Sequence, residues 1–267
     1  SFCLANVIFY SKIRLNKGEF MSKKLFLAFV LIVAVVFSVA AFQFSPLEST
    51  FEPTGANSSK IYTIVNDSDD SIAIQVSVLK RDQDAQGNEI NEDGSAFFSV
   101  DRPYLIVPAQ SSALVRITYQ GTKTVTSEMA FRVRAEQIAY SQGKAASNQS
   151  MFNFLYVYST SAYVSPAEKV KKVDVGNIKA SYDEEGNQVL QVTVRNRGNV
   201  HQILMDAKLE IKDGTGKSVT ISGPEALLSL DSMNLLAKKQ VTKVIPFPEG
   251  LTFREGATYT GSLSYTE

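Results

Sequence analysis

From Lys60 onward the chain breaks into short runs of alternating apolar and polar residues, with almost no helical periodicity between them. The runs are Lys60–Val65, Ile72–Leu79, Tyr104–Val107, Ala113–Tyr119, Ala130–Ile138, Phe152–Tyr158, Gln188–Arg195, Ile203–Ile211, Ser218–Ile221, Gln240–Ile245 and Thr258–Tyr265. A period of two sends successive side chains to opposite faces of a strand. Turn chemistry bounds the runs, as in Asn66-Asp67-Ser68, Gln86-Gly87-Asn88, Glu185-Gly186-Asn187 and Asp213-Gly214-Thr215-Gly216. Many short strands at this spacing predict β-sandwiches rather than an α/β enzyme fold. Only Ala226–Leu230 suits a short helical turn.

A break falls at Ser165-Pro166-Ala167-Glu168-Lys169, where Pro166 cannot donate to a ladder and so ends the run from Phe152. It leaves about 120 residues before and about 100 after, each the size of an immunoglobulin-like sandwich. Residues 42–165 are thus read as one such domain, 166–172 as a linker and 173–267 as a second domain. Upstream, Met21-Ser22-Lys23-Lys24 is basic, Leu25–Phe37 is unbroken apolar sequence, and Ser38-Val39-Ala40 is a small-residue cleavage signature. Residues 21–41 therefore read as a cleaved secretory signal peptide, and 1–20 as a segment ahead of the true start. An uncleaved anchor is the alternative, because the apolar stretch nearly reaches Phe44 and about 20 residues span a bilayer.

Export has consequences for chemistry. Cys3 is the only cysteine and lies ahead of the signal, so the mature chain holds itself together without disulfides. Removing residues 1–41 leaves 22 Lys and Arg against 26 Asp and Glu, a mildly acidic protein with no electrostatic reason to bind nucleic acid. His201 is the sole histidine and has neither cysteine nor a second histidine for a zinc site or a Ser–His relay, so it is read as chemically idle. Carboxylates sit in turns rather than in apolar-framed pairs, and no catalytic residue, cofactor or small-molecule substrate is expected. Asp82, Asp84, Gly87 and Asp93 loosely match a calcium loop, against which stands a plain polar hairpin. Asn57, Asn66 and Asn148 open glycosylation sequons of the kind that arise by chance in Asn- and Ser-rich β proteins.

Met151–Tyr158, MFNFLYVY, stands apart. Phe152, Phe154, Tyr156 and Tyr158 stack on one strand face, while Leu155 and Val157 make the other face apolar too. Such a strand needs two apolar covers. Either both lie within the protein, or one is a partner whose pockets take alternate side chains by strand addition.

The order of these features resembles the periplasmic pilus-assembly chaperones. Phe51-Glu52-Pro53-Thr54-Gly55 is similar to the end of that family's first strand, and Ile64-Val65-Asn66-Asp67-Ser68 to its strand-turn element. Pro108 through Arg116-Ile117 resembles its Pro-to-Arg strand, and Glu128 through Ile138 its acidic residue and the strand that follows. Phe152–Pro166 resembles the last strand of the first domain, and Val194-Arg195-Asn196-Arg197-Gly198-Asn199 the turn signature of the second.

The resemblance implies an all-β protein of two tandem immunoglobulin-like β-sandwich domains at an angle around a cleft. It implies a periplasmic chaperone that lends a strand to incomplete pilin-like subunits and delivers them to an outer-membrane usher. Phe152, Phe154, Tyr156 and Tyr158 would bind the subunit, and the protein could cap itself as a dimer. The family's anchor for the subunit's terminal carboxylate, an Arg and a Lys, falls here on Glu48 or Ser49 and on Ser161, none of them basic. A desolvated carboxylate needs a charged donor, so either another basic group such as Arg132 or Arg134 substitutes, or the protein does not bind a pilin terminus. The competing expectation is an exported structural or adhesive surface protein in which the aromatic strand is wholly internal.

Overall fold

In the computed structural model, which describes residues 42–139, 155–227 and 229–266, the alternating runs become strands of two β-sandwiches with separate cores. The segment read as a signal, residues 21–41, lies outside the described residues.

The first sandwich contains β1 (Gln43–Ser45), β2 (Glu48–Phe51), β3 (Ser59–Asn66), β4 (Ile72–Gln83), β5 (Glu89–Asp93), β6 (Phe98–Val100), β7 (Tyr104–Val107), β8 (Ser111–Tyr119), β9 (Met129–Ile138) and β10 (Val157–Val164). One sheet has the order β1-β3-β8-β6, and the other β2-β10-β9-β4-β5, with β7 also paired to β4. Between the sheets, Phe98 meets Phe51, Tyr119 and Phe131 edge-on at ring separations of 5.0, 5.3 and 4.9 Å, the offset geometry that aromatic quadrupoles favour.

The second sandwich contains β11 (Val173–Tyr182), β12 (Gln188–Asn196), β13 (Gln202–Ile203), β14 (Met205–Lys212), β15 (Ser218–Ser222), β16 (Asn234–Leu235), β17 (Gln240–Pro246) and β18 (Thr258–Thr266). Six of these follow the path β15-β14-β18-β11-β12-β17, and β13 pairs with β16. Ile178, Leu190, Leu209 and Ile211 are fully buried in its core. The structure departs from the sequence reading in places. The run expected over Ile203–Ile211 divides at Leu204 into β13 and β14; a 3₁₀ turn at Ala56–Ser58 and strands such as β1, β2, β5, β6 and β11 were not expected from the alternating runs. The short helical turn expected near Ala226 is present, with the Leu227 amide bonded to the Gly223 carbonyl.

A buried asparagine closes the corresponding turn in each sandwich. Asn66 Nδ2 donates to the carbonyls of Val107 and Pro108, while its Oδ1 accepts from the Ser68 amide and hydroxyl. Asn196 Nδ2 donates to the Val200 and Leu235 carbonyls, and Oδ1 accepts from the Gly198 amide. Backbone groups buried at a strand end need such partners. Its amide so engaged, Asn66 is unsuited to carry a glycan.

The β4–β5 hairpin runs past the first sandwich to the second. Ala85 accepts a hydrogen bond from the Thr242 amide at 2.8 Å, and Asp82 pairs with Lys239. Gly87, at φ 82°, sits where a Cβ would come within 2.9 Å of Val241, so backbone conformation and packing both demand glycine. Below the tip, the buried Gln83 donates to the Asn234 carbonyl at 2.7 Å and accepts from the Leu236 amide at 2.9 Å.

Replacing Asn196 by Ala leaves two buried carbonyls without the donor it supplies, while the Gly198 amide keeps the Lys172 carbonyl. At about 1–3 kcal/mol for a buried unsatisfied group, tempered by local relaxation, the expected loss is about 3 kcal/mol, read from the urea midpoint at constant slope.

Candidate functional site

The last strand of the first sandwich is only half enclosed. β10 pairs antiparallel with β9 along its whole length, from Val157 opposite Glu136 to Val164 opposite Met129. On its other side β2 runs parallel to it over Ser161–Val164 alone. Among the described residues, no strand pairs with the outer edge of Val157–Thr160.

Side-chain parity along this strand is set by its second half. Thr160, Ala162 and Val164 are buried, so Tyr158 and Tyr156, at the same parity, turn inward as well. Both are half-buried against the first core, and Tyr158 meets Phe42 edge-on at 4.7 Å. The expectation that Tyr156 and Tyr158 face a partner is thereby corrected: their cover is the protein's own opposite sheet. Leu155 and Val157 point the other way and are 52% and 48% exposed. Phe152 and Phe154 lie outside the described residues. The signal for this orientation was present in Ser159, Ser161 and Thr160, Ala162, Val164, whose polarity separates the two faces once the strand is read through to Val164.

Where β2 takes over the edge, a row of polar residues crosses the sheet. Ser161 stands opposite Glu48 on β2 and opposite Arg132 on β9. Glu48 and Ser161, where the resemblance called for basic residues, are therefore neighbours, and the cation beside them comes from the next strand. Arg132 donates from Nη1 to Ser161 Oγ at 2.8 Å, and from Nε and Nη2 to the two oxygens of Glu89, the Nε bond being 2.9 Å. Arg81, whose side chain is 8% exposed, places Nε 2.8 Å from Glu89 Oε2. That contact is a second ion pair to the same carboxylate. The Arg132 hydrogen bonds hold the Glu89 carboxyl well below its ordinary range, at about 2, and Glu89 in turn raises the Arg132 guanidinium. Arg134, the other candidate cation, pairs with Glu136 at 3.0 Å.

The fully buried Tyr163 ties this row to the second sandwich. Its hydroxyl accepts from Asn234 Nδ2 at 2.8 Å and Arg81 Nη1 at 3.3 Å, and its ring stacks on His201 at 3.9 Å. Glu128 Oε1 accepts from the His201 amide at 2.9 Å and lies 2.6 Å from its Nδ1, while Oε2 accepts from the Ser165 hydroxyl at 2.9 Å. His201, read as idle, is thus a contact between the sandwiches. Nothing in its local sequence signals this, because Glu128 lies 73 residues away.

The calcium reading does not fit. Asp82 and Asp93 lie on paired strands, opposite Ile90 and Leu79. Asp84 spends its carboxylate on the Gln86 and Asn88 amides of its own turn. Among the described residues no cluster of His, Cys, Asp or Glu is arranged to hold a metal.

Comparison with solved structures places this fold. It is similar to one chain of the solved chaperone–tip adhesin complex of CFA/I fimbriae, with a TM-score of 0.51 and 15% identity over 82% of this chain and 97% of that one. CsuC–CsuE, a chaperone–tip subunit pre-assembly complex from archaic Csu pili of Acinetobacter baumannii, matches with a TM-score of 0.51 and 15% identity over 79% and 90%. The class 5 fimbriae chaperone CfaA matches with a TM-score of 0.50 and 15% identity over 82% and 97%. No family model and no curated protein sequence matches the chain. At this identity the likeness establishes the fold, the tandem immunoglobulin-like sandwiches of the fimbrial assembly chaperones.

A pH dependence follows from the row. With its folded value near 2 and an ordinary value of 4.5, Glu89 stabilises the fold fully above pH 4.5, and this contribution disappears as pH falls towards 2. Carboxyl ¹³C titration is expected to show Glu89 protonating near pH 2, and Glu89→Gln to flatten the stability profile between those limits.

Proposed function

We propose that this chain is a periplasmic chaperone that binds incomplete pilin-like subunits by donor-strand complementation and delivers them to an outer-membrane usher. One observation carries the reading: the edge of β10 is open over Val157–Thr160, next to exposed Leu155 and Val157 on alternate positions. A sandwich lacking its last strand presents unpaired backbone and an open groove, and aggregates through them. A strand lent from outside satisfies the ladder while alternate side chains fill the groove. The solved complexes of similar fold contain a chaperone together with a tip subunit, which is the pairing this reading requires.

Leu155 and Val157 are the residues oriented for insertion, with Phe152 and Phe154 preceding them in the proposed strand. Arg132, beside Ser161, serves as the cation for the subunit's carboxylate in place of the Arg and Lys that the resemblance led us to expect. Residues 21–41 act as the cleaved signal that takes the protein to the periplasm.

The test is co-expression with a pilin-like subunit from the same gene cluster. Burying a side chain of this size contributes about 1.5–3 kcal/mol, and a carboxylate in its place must also be desolvated. Val157→Asp is therefore expected to lower recovery of the subunit at least tenfold while the urea midpoint, set by residues packed beneath, stays unchanged. Tyr158→Ala should lower the midpoint. Equal recovery with Val157→Asp overturns strand donation and favours a surface protein with no client.

A further inference from the structure

At the end of β12 a pocket open to solvent gathers four cations. Arg195, Arg197, Lys238 and Lys239 line it together with Asn196 and Gln240. Arg195 stands across the ladder from Asp174 on β11 and from Gln240 on β17, while Lys238 and Lys239 come from the turn that leads into β17. Asn196, buried between the two arginines, closes its turn and so fixes the backbone that carries both.

Two of the four cations are balanced. Arg197 Nε lies 2.6 Å from Asp174 Oδ2, and Lys239 pairs with Asp82. The other two have no carboxylate among the described residues. Lys238 spends one ammonium proton on the Arg197 carbonyl, at 3.0 Å. Arg195, half-buried, has neither a hydrogen bond nor an ion pair, and its Nε–H is shut off from water without an acceptor. Asp174, the nearest acid across the ladder, turns Oδ2 to Arg197, and its buried Oδ1 accepts nothing. Four cations against two carboxylates leave the pocket with two uncompensated positive charges.

The free guanidinium is nonetheless held in position. It lies against Gly176 in the bulge of β11, where a Cβ would stand 2.4 Å from Nε and 2.6 Å from Cζ. A larger residue there would push it aside. An arginine drawn partly out of water is ordinarily paired, because its donors lose hydration without a replacement.

We propose that this pocket binds a compact dianionic oxyanion of the phosphate class, with Arg195 as its principal ligand and Lys238 and Gln240 as further donors. No residue of the pocket belongs to β10 or its open edge, and the inference does not rest on the function proposed above. A guanidinium offers parallel N–H donors that match two oxygens of a phosphoryl group, and an ammonium adds a point charge. A dianion answers the two missing charges, whereas a monoanion leaves one of them. Because Gly176 sets the guanidinium in place beforehand, little ordering is required when the ion arrives.

Arginine side-chain ¹⁵N NMR tests the site while inorganic phosphate is added at mildly alkaline pH, with ionic strength held constant by potassium chloride. The Arg195 Nε–H resonance is expected to shift and saturate. Acetate should bind about tenfold more weakly, and Arg195→Gln should lower phosphate affinity by about tenfold or more, the measure of one lost charge-assisted hydrogen bond. Gly176→Ala separates a built site from general surface charge. It keeps all four cations, and only a flexible side chain must move to admit its Cβ, so the urea midpoint should hold while phosphate affinity falls. A shift that grows linearly with phosphate, acetate bound as tightly as phosphate, or undiminished affinity in Gly176→Ala overturns the site. Glycerol 3-phosphate distinguishes the sources of the ion. Binding like that of phosphate assigns the site to a phosphoryl group carried on a larger molecule, and exclusion of the ester assigns it to the free ion.

Discussion

The two-residue period of β10 is the constraint on which the rest depends. One strand serves three surroundings, and its pleat assigns every side chain among them. Tyr156, Tyr158, Thr160, Ala162 and Val164 face the first core, Leu155 and Val157 face outward, and Tyr163 is carried to the second sandwich. A shift of register by one residue would exchange all of these together, placing Val164 in the polar interface and Ser161 in the core. The aromatic residues are thus what anchors the strand, and the smaller aliphatic residues are what it leaves exposed.

The contact between the sandwiches is mostly polar. Gln83, Glu128, Tyr163, His201 and Asn234 meet through hydrogen bonds, with a small apolar cluster of Ala130, Tyr163 and Leu236 among them. Polar groups removed from water must be paired, and paired groups tolerate little displacement. An apolar contact of the same extent would permit sliding; this one specifies orientation. Tyr163 is the link, since its ring stacks on His201 while its hydroxyl reaches Arg81 and Asn234. The half-buried cations of the first sandwich are thereby held in register with the second.

Charge at the site follows the same economy. Arg132, on the adjacent strand, reaches Ser161, and Glu89 compensates its charge. Arg132 stands directly opposite Ser161, one strand spacing further from the open edge.

Local chemistry was legible in the amino-acid sequence. Alternation marked the strands, Pro166 lay just past the end of β10, and Asn66 and Asn196 each sat in a turn signature that the fold then used. These features depend on residues within a few positions of one another, which is the range over which backbone geometry and turn chemistry act. Which face of β10 would be buried depended on where the opposite sheet lay. The pairing of Arg132 with Glu89, 43 residues apart, and of His201 with Glu128, 73 apart, depended on how strands were ordered across sheets. Spacing along the chain carries no record of that order. The sequence by itself determined that two sandwiches form and where their turns fall; the tertiary structure decided which residues of the closing strand face its core, which face outward, and which charges stand beside them.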